Sequence, residues 1–118
     1  MATKGTRTGK SKIPYWLTAF FDRTKERFVM KGYSFYDHPA VRSLSPSAFQ
    51  VYDYMCKECG GTMEFIFPAS VFLKFTTKPT FYKAKQELIA KGFIIEVQNN
   101  SNLRKPNVFR FSDEWKRR

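Results

Sequence analysis

The sequence predicts an α+β fold that is mostly helical and carries a small antiparallel β-hairpin near its C-terminus. Two segments of helical periodicity, residues 45–59 and 78–91, indicate the main helices. Two short segments rich in β-branched and aromatic residues, 93–97 and 108–111, flank a polar loop and indicate the hairpin. The chain has 118 residues, which suits one domain, and 42% of them are hydrophobic, enough to form a core.

The chain is strongly basic, with 21 Lys and Arg against 10 Asp and Glu and a formal net charge of +11. Such a charge favours a polyanionic partner, above all a nucleic acid, although a generic basic surface that keeps the protein soluble is the alternative. Two cysteines are too few for a disulfide-stapled secreted module, and no apolar run approaches the roughly 20 residues of a membrane span. Residues 1–12 lack the apolar stretch of a signal peptide, so we expect a cytoplasmic protein without a membrane partner.

The first 14 residues are basic and polar without a periodic apolar face, which predicts a flexible arm before a domain at residues 15–118. The arm either neutralises phosphates or is an inert terminus. Residues 15–36 are aromatic-rich, and their secondary structure is ambiguous. Residues 27–30 fit a short extended piece, whereas one helical face accommodates Trp16, Leu17, Phe20 and Phe21.

Clearer helix signals begin at Asp37, which we expect to cap a short helix entered through Pro39. The single histidine, His38, is interpreted as a capping or surface residue rather than a ligand. Ser45 and Pro46 then form a strong helix start, because serine accepts from unpaired N–H groups and proline is tolerated in the first turn. The helix is expected to end at Cys59, before two glycines, with an inward stripe of Ala48, Val51, Tyr52, Met55, Cys56 and Cys59.

The second half of the chain alternates short strands and helices. Residues 63–67 predict a strand, Pro68 opens a brief helix to about Leu73, and a turn leads to the helix that starts near Lys78. The strands at 93–97 and 108–111 follow. Helix, strand, helix, turn, helix, strand, loop and strand is the order of a winged helix-turn-helix, in which the hairpin is the wing.

The helix at residues 78–91 is expected to present two different faces. Phe81, Ala84 and Leu88 cluster on one side, with Ile89 at its edge, and would pack inward. The opposite side carries groups that suit the major groove of DNA, namely Lys78, Pro79, Tyr82, Lys83, Gln86 and Ala90. Gln86 can pair with adenine, Lys83 can reach guanine or a phosphate, and Tyr82 a methyl group or a phosphate.

Two further expectations concern the same helix. Its N-terminus around Thr80 is expected to offer free N–H groups to a phosphate. Lys85 lies nearer the packed side, so its ammonium is expected to turn sideways toward a strand instead of reading a base. The alternative to DNA reading is an ordinary solvated face of a basic helix.

The polar loop at residues 98–107 is the second candidate DNA-binding element. It carries Asn102, Arg104 and Lys105, and no acid occurs between Gln98 and Phe111. Such a hairpin tip can reach a minor groove or a phosphate chain. The alternative is that its asparagines are present because Asn tolerates turn geometry.

Catalysis and metal binding are not expected. Cys56 and Cys59 form a lone C-x-x-C near the C-terminal end of a helix, where the dipole disfavours a thiolate, and two further zinc ligands are lacking. Buried structural thiols are the preferred interpretation. The chain has no phosphate-binding glycine motif and no nucleophile set around its histidine, so we expect no enzyme, cofactor or metal site.

Several stretches resemble winged-helix proteins carried by bacterial phages, plasmids and integrative elements, among them replication initiators, replisome organisers and helix-turn-helix proteins. The stretches are FVMKGY at 28–33, DHPAVRSLSPSA at 37–48 and KGFI at 91–94. Residues 79–84, followed by Glu87 and Leu88, are similar to the recognition helix of these proteins. The resemblance covers roughly residues 28–115 and departs in a short helix before the turn and a turn without glycine. It implies duplex binding through residues 78–86 and a wing around Arg104 and Lys105.

These observations lead us to expect a double-stranded DNA-binding protein of a bacterial mobile genetic element. It would act in replication initiation or transcriptional regulation, with a second copy of the chain on an adjacent half-site. One alternative is a protein-protein interaction module in which Trp16, Phe20 and Phe21 form a docking patch. Another is an RNA-binding or single-strand-binding domain that uses exposed aromatic side chains.

Overall fold

The computed structural model describes residues 17–19 and 27–117. The chain divides into two compact units, residues 1–30 and residues 31–118, and the fold below is that of the second unit. The basic arm predicted at residues 1–14 lies outside the described residues, as do Trp16, Phe20 and Phe21 of the predicted docking patch. Residues 27–30 carry no regular secondary structure and are exposed.

The second unit is an α+β fold with five α-helices and three strands among its described residues. The helices are α1 Tyr33–Asp37, α2 Pro39–Arg42, α3 Pro46–Glu58, α4 Ala69–Phe72 and α5 Lys78–Ala90. The strands are β1 Glu64–Ile66, β2 Ile94–Gln98 and β3 Val108–Phe111. They form one antiparallel sheet in the order β1-β3-β2, so β2 and β3 make the predicted hairpin and β1 adds the third strand.

The cap of α2 corrects one prediction. Pro39 is the first residue of α2, so the capping position belongs to His38, whose Nδ1 accepts from the Ala40 N–H at 3.0 Å. Asp37, the expected cap, is the last residue of α1, and its carboxylate pairs with Arg42 at 3.3 Å. The interpretation of His38 as a capping residue is confirmed.

Helix α3 begins and ends where the sequence indicated. The Ser45 side chain accepts from the Ala48 N–H at 3.1 Å, and Pro46 occupies the first turn. After Cys59 the chain takes positive φ angles at Gly60 (64°) and Gly61 (86°), which residues with a Cβ rarely adopt. The inward stripe is buried at Ala48, Val51, Tyr52 and Met55.

Aromatic rings make up much of the core. Phe72 of α4 stacks on Phe81 of α5 at a centroid distance of 4.0 Å, which fixes the short helix against the long one. At the other end of the core, Phe93 stacks on Trp115 at a centroid distance of 5.3 Å. Trp115 lies in a 3-10 turn that follows the last strand. Phe65 of β1 lies opposite Phe109 of β3, and both are buried. Phenylalanines from helices, strands and the segments between them therefore meet in one core.

No helix in the described part of the chain is long and apolar enough to span a membrane.

Candidate nucleic-acid interface

Helix α5 has the two faces that its periodicity predicted. Phe81, Ala84 and Leu88 are at most 3% exposed and pack into the core. On the opposite side Lys83 and Gln86 are exposed, and Tyr82 is 50% exposed. Lys78, Pro79 and Ala90, the remaining residues assigned to the outer face, are also exposed. The outer face is therefore accessible to a partner.

The N-terminus of α5 is less open than expected. Thr77 occupies the capping position, and its Oγ1 accepts from the Thr80 N–H at 3.4 Å. Pro79 has no N–H, so this end of the helix offers fewer donors than an uncapped helix would. Of the N–H groups around Thr80 that were expected to be free for a phosphate, that of Thr80 itself is therefore taken by the cap.

The loop between β2 and β3 is exposed at its tip and hydrogen-bonded at its base. Asn102, Arg104 and Lys105 are exposed, and Arg104 has a left-handed φ of 55°. At the base, the Asn100 N–H donates to Asn107 Oδ1 at 2.7 Å, and Asn100 Nδ2 donates to the Pro106 carbonyl at 3.0 Å. These two asparagines hold the loop's own backbone, so they serve the geometry of the loop.

Lys85 behaves as its position on the helix predicted. Lys85 as a whole is only 7% exposed, and its Nζ lies 3.1 Å from Glu96 Oε2 on β2. The ammonium also lies 5.5 Å from the centre of the Tyr82 ring. Lys85 is thus neutralised within the protein and is not part of the outer face.

Glu96 is a residue that the sequence reasoning missed. Its carboxylate accepts from Lys85 and from Asn107 Nδ2 at 3.1 Å, and from Asn99 Nδ2 at 3.4 Å. The carboxylate therefore joins α5 to both sides of the loop base. A signal for it was present, because alternation along β2 puts Glu96 on the same face as the buried Ile94, where a carboxylate needs a partner.

Ion pairing divides the cations of residues 27–117 into two groups. Seven are paired with carboxylates, as Lys31–Asp53, Arg42–Asp37, Lys57–Glu58, Lys85–Glu96, Lys91–Glu87, Arg110–Glu64 and Arg117–Asp113. Those in the same range without such a pair are Arg27, Lys116, Lys74, Lys78, Lys83, Arg104 and Lys105. We call five of these the basic surface: Lys74, Lys78, Lys83, Arg104 and Lys105. They lie on the turn before α5, on the outer face of α5 and at the loop tip.

Lys74 is the member of the basic surface that the sequence reasoning missed. It is exposed in the turn between α4 and α5. Residues 65–86 contain no Asp or Glu, so no carboxylate near it in sequence can neutralise it. This acid-free stretch is the signal that could have identified the turn as part of a cationic site.

A carboxylate on the inner side of α5 anchors the helix to the start of α3. Glu87 accepts from the Ser45 N–H and from the Ser45 hydroxyl, both at 2.7 Å, and from Lys91 Nζ at 3.2 Å. Burial alone would raise the pKa of Glu87, but the hydrogen bonds from Ser45 and Lys91 together outweigh it and hold the pKa below its ordinary value. Glu87 therefore fixes the helix that carries the outer face.

The two cysteines are only partly buried and remain reduced. Cys59 Sγ donates to the Cys56 carbonyl at 3.2 Å. Burial raises the pKa of Cys56 to about 11, which keeps it a thiol at neutral pH. Among the described residues no group of three or more His, Cys, Asp or Glu side chains could hold a metal ion. The prediction of buried structural thiols is correct only in part, since both side chains are partly buried.

Comparison with models of known protein families, with curated proteins and with solved structures finds no significant match for this chain.

Proposed function

We propose that this chain is a winged helix-turn-helix protein that binds double-stranded DNA. The order of α3, β1, α4, α5, β2 and β3 supports the fold, together with the sheet order β1-β3-β2. In this proposal α4 and α5 are the helix-turn-helix, α5 is the recognition helix, and the loop between β2 and β3 is the wing.

The observation that carries the proposal is the distribution of unpaired cations. Seven cations of residues 27–117 are neutralised by carboxylates, whereas the five of the basic surface are exposed and unpaired. An unpaired cation can release a counterion from DNA, which supplies much of the free energy of binding a duplex. A generic basic surface would be expected to scatter such cations over the molecule.

The groups of the outer face suit the major groove. Gln86 can form paired hydrogen bonds with adenine, Lys83 can donate to guanine or a phosphate, and Tyr82 can contact a thymine methyl. Lys74 and Lys78 would bind phosphates beside the groove. Arg104 and Lys105 would reach the adjacent minor groove or its phosphates, with Asn102 beside them.

A narrower part of the proposal rests on the sequence resemblance alone. We propose a role in replication initiation or transcriptional regulation of a bacterial mobile genetic element, with two copies of the chain bound to adjacent half-sites. Sequencing of the genomic fragments that the protein retains would identify the site and the spacing of its halves.

The proposal is tested by titrating labelled duplex DNA, single-stranded DNA and RNA with the full chain over a salt series. A preferred duplex is first selected from a random library. The double variant of Lys83→Ala and Gln86→Ala should lose about 1–3 kcal/mol of binding to the selected duplex and little binding to random duplexes. The double variant of Arg104→Ala and Lys105→Ala should weaken binding to all duplexes alike.

Unchanged duplex binding in both double variants would overturn the assignment of the site. Preference of the wild-type chain for single strands or RNA would replace the duplex proposal. Absence of binding to any of the three nucleic acids would instead favour an interaction module that binds another protein.

A further inference from the structure

A negative charge lies inside the proposed DNA-binding region, at Glu96. A carboxylate near bound phosphates repels them, so its presence beside the basic surface needs an explanation. The Glu96 side chain is 19% exposed, and its partner Lys85 has a side-chain exposure of 9%. The pair is therefore largely removed from water.

A buried ion pair is a weak source of stability, since the cost of removing two charges from water offsets most of their attraction. Its better-supported role is to specify one arrangement of the elements that carry the charges. Here the elements are α5, which carries Lys85, and β2, which carries Glu96 and leads directly into the wing.

The contacts of Glu96 continue into the wing on both sides. Asn99, at the start of the loop, donates to Oε1, and Asn107, at its end, donates to Oε2. Asn107 in turn accepts from the Asn100 N–H, which closes the base of the loop. The carboxylate therefore connects the recognition helix to the two ends of the loop that presents Arg104 and Lys105.

We propose that Glu96 is a positioning residue that orients the wing relative to α5, so that the cations of the loop and the outer face of α5 engage one duplex together. This inference rests on the proposed function. Glu96 itself does not contact DNA in this scheme, and it acts through Lys85 and Asn107.

The sign of one mutational effect separates positioning from simple charge repulsion. Glu96→Gln removes a negative charge from the region. If Glu96 only repelled phosphates, the variant would bind duplex more tightly. If it positions the wing, the variant should bind at least about fivefold more weakly despite its more favourable charge, by analogy with the losses that follow truncation of residues around a binding site.

A second variant leaves the number of charges unchanged. Asn107→Ala removes one of the two hydrogen bonds from the loop to Glu96, together with the acceptor of the Asn100 N–H, while the pair of Lys85 and Glu96 remains. It should weaken duplex binding in the same direction as Glu96→Gln. Because it does not strand a buried lysine, it keeps the test valid if Glu96→Gln fails to fold.

A double-mutant cycle tests whether the effect passes through the wing. Removal of Arg104 and Lys105 should weaken wild-type binding by about tenfold but the Asn107→Ala background by less than about threefold, because coupled residues are not additive. If Asn107 only stabilised the fold, removal of Arg104 and Lys105 would weaken binding by the same factor in the wild-type and the Asn107→Ala backgrounds. Glu64→Gln is the matched control, since it makes the same charge change on β1, beside Arg110 of β3, and should not weaken binding.

The failures of the two proposals can be told apart. If the wild-type chain binds duplex but Glu96→Gln and Asn107→Ala bind equally well or more tightly, the positioning role is overturned and the DNA-binding proposal stands. Additive losses in the cycle would also overturn the positioning role. If the wild-type chain binds no duplex, both proposals fail.

Discussion

Lys83 and Lys85 lie two residues apart on α5 and have opposite environments. Lys83 is exposed and has no ion-pair partner in the described part of the chain, whereas Lys85 is buried against Glu96. The difference follows from helical geometry, since two residues along a helix turn a side chain by about 200°. One lysine is therefore available to a ligand and the other belongs to the fold.

The two lysines should differ in their effect on stability. Lys85→Ala leaves the Glu96 carboxylate largely buried without its cation and should lower the free energy of unfolding by about 3 kcal/mol. Lys83→Ala removes an exposed, unpaired side chain and should change it by less than about 0.5 kcal/mol. Urea unfolding followed by circular dichroism measures both values. Equal effects would contradict the assignment of Lys85 to the fold.

For single residues, the sequence correctly predicted the environment of a side chain where that environment depends on one element. The direction of Lys85 follows from its helix alone. The contacts of Glu96 depend on β2, on α5 and on a loop whose base is held by asparagines, and the ladder of β2 is irregular between Glu96 and Gln98. Asp37 was wrongly expected to cap α2, because the capping position depends on which residue begins the helix, a detail of one position.

Helix α5 is held to α3 by hydrogen bonds as well as by its apolar face. Glu87 accepts from Ser45, which is also the cap of α3, and Lys91 donates both to Glu87 and to the Ser43 carbonyl at 2.7 Å. The start of α3 and the C-terminal half of α5 are thus joined by one carboxylate. Glu87 follows Lys85 by two residues, about 200° around the helix, so the two contacts hold different sides of α5.

The contact should make stability depend on pH. The pKa of Glu87 is lower in the folded chain than the ordinary value of 4.5, so its contribution is present above that value and is lost as the pH falls through the folded pKa. Glu87→Gln should lower the free energy of unfolding by about 1–2 kcal/mol at neutral pH. The gap to the wild type should narrow as the pH falls below the ordinary carboxyl range and Glu87 becomes protonated.

Urea unfolding at several pH values measures this gap. Glu58→Gln is the matched control, because Glu58 pairs only with its exposed neighbour Lys57 and should give a difference below about 0.5 kcal/mol at each pH. A gap for Glu87→Gln that stays constant from neutral pH down to the most acidic pH at which the chain still folds would contradict the stabilising role of its charge.

The elements were easier to predict than the contacts between them. Ser45 before Pro46 and the glycines after Cys59 indicated α3, and Pro79 and Gly92 indicated α5, to within about two residues. The cap at Thr77 was not predicted. Strand β1 was predicted as a segment, but its pairing with β3 was not predicted, because pairing between distant segments depends on the whole core. Residues 33–37 form a helix in a segment that the sequence left ambiguous.

For the molecule as a whole, charge placement matters more than net charge. The value of +11 indicated a polyanionic partner but gave no location. Pairing in the folded chain removes the cations of α2 and α3 from consideration, since Arg42 and Lys57 are each bound to a carboxylate. Of the seven cations of residues 27–117 that remain unpaired, five lie in the turn before α5, on α5 and on the loop between β2 and β3.

The most direct test of this account is the salt dependence of duplex binding in two variants with the same net charge. One replaces Lys78, Lys83, Arg104 and Lys105 with alanine, and the other replaces the paired cations Arg42, Lys57, Arg110 and Arg117. The wild-type slope of log affinity against log salt should be about −4 to −5, and the first variant should reduce its magnitude by about 3 to 4. The second variant should keep the wild-type slope. Equal slopes in the two variants would contradict the claim that the unpaired cations form the DNA-binding surface.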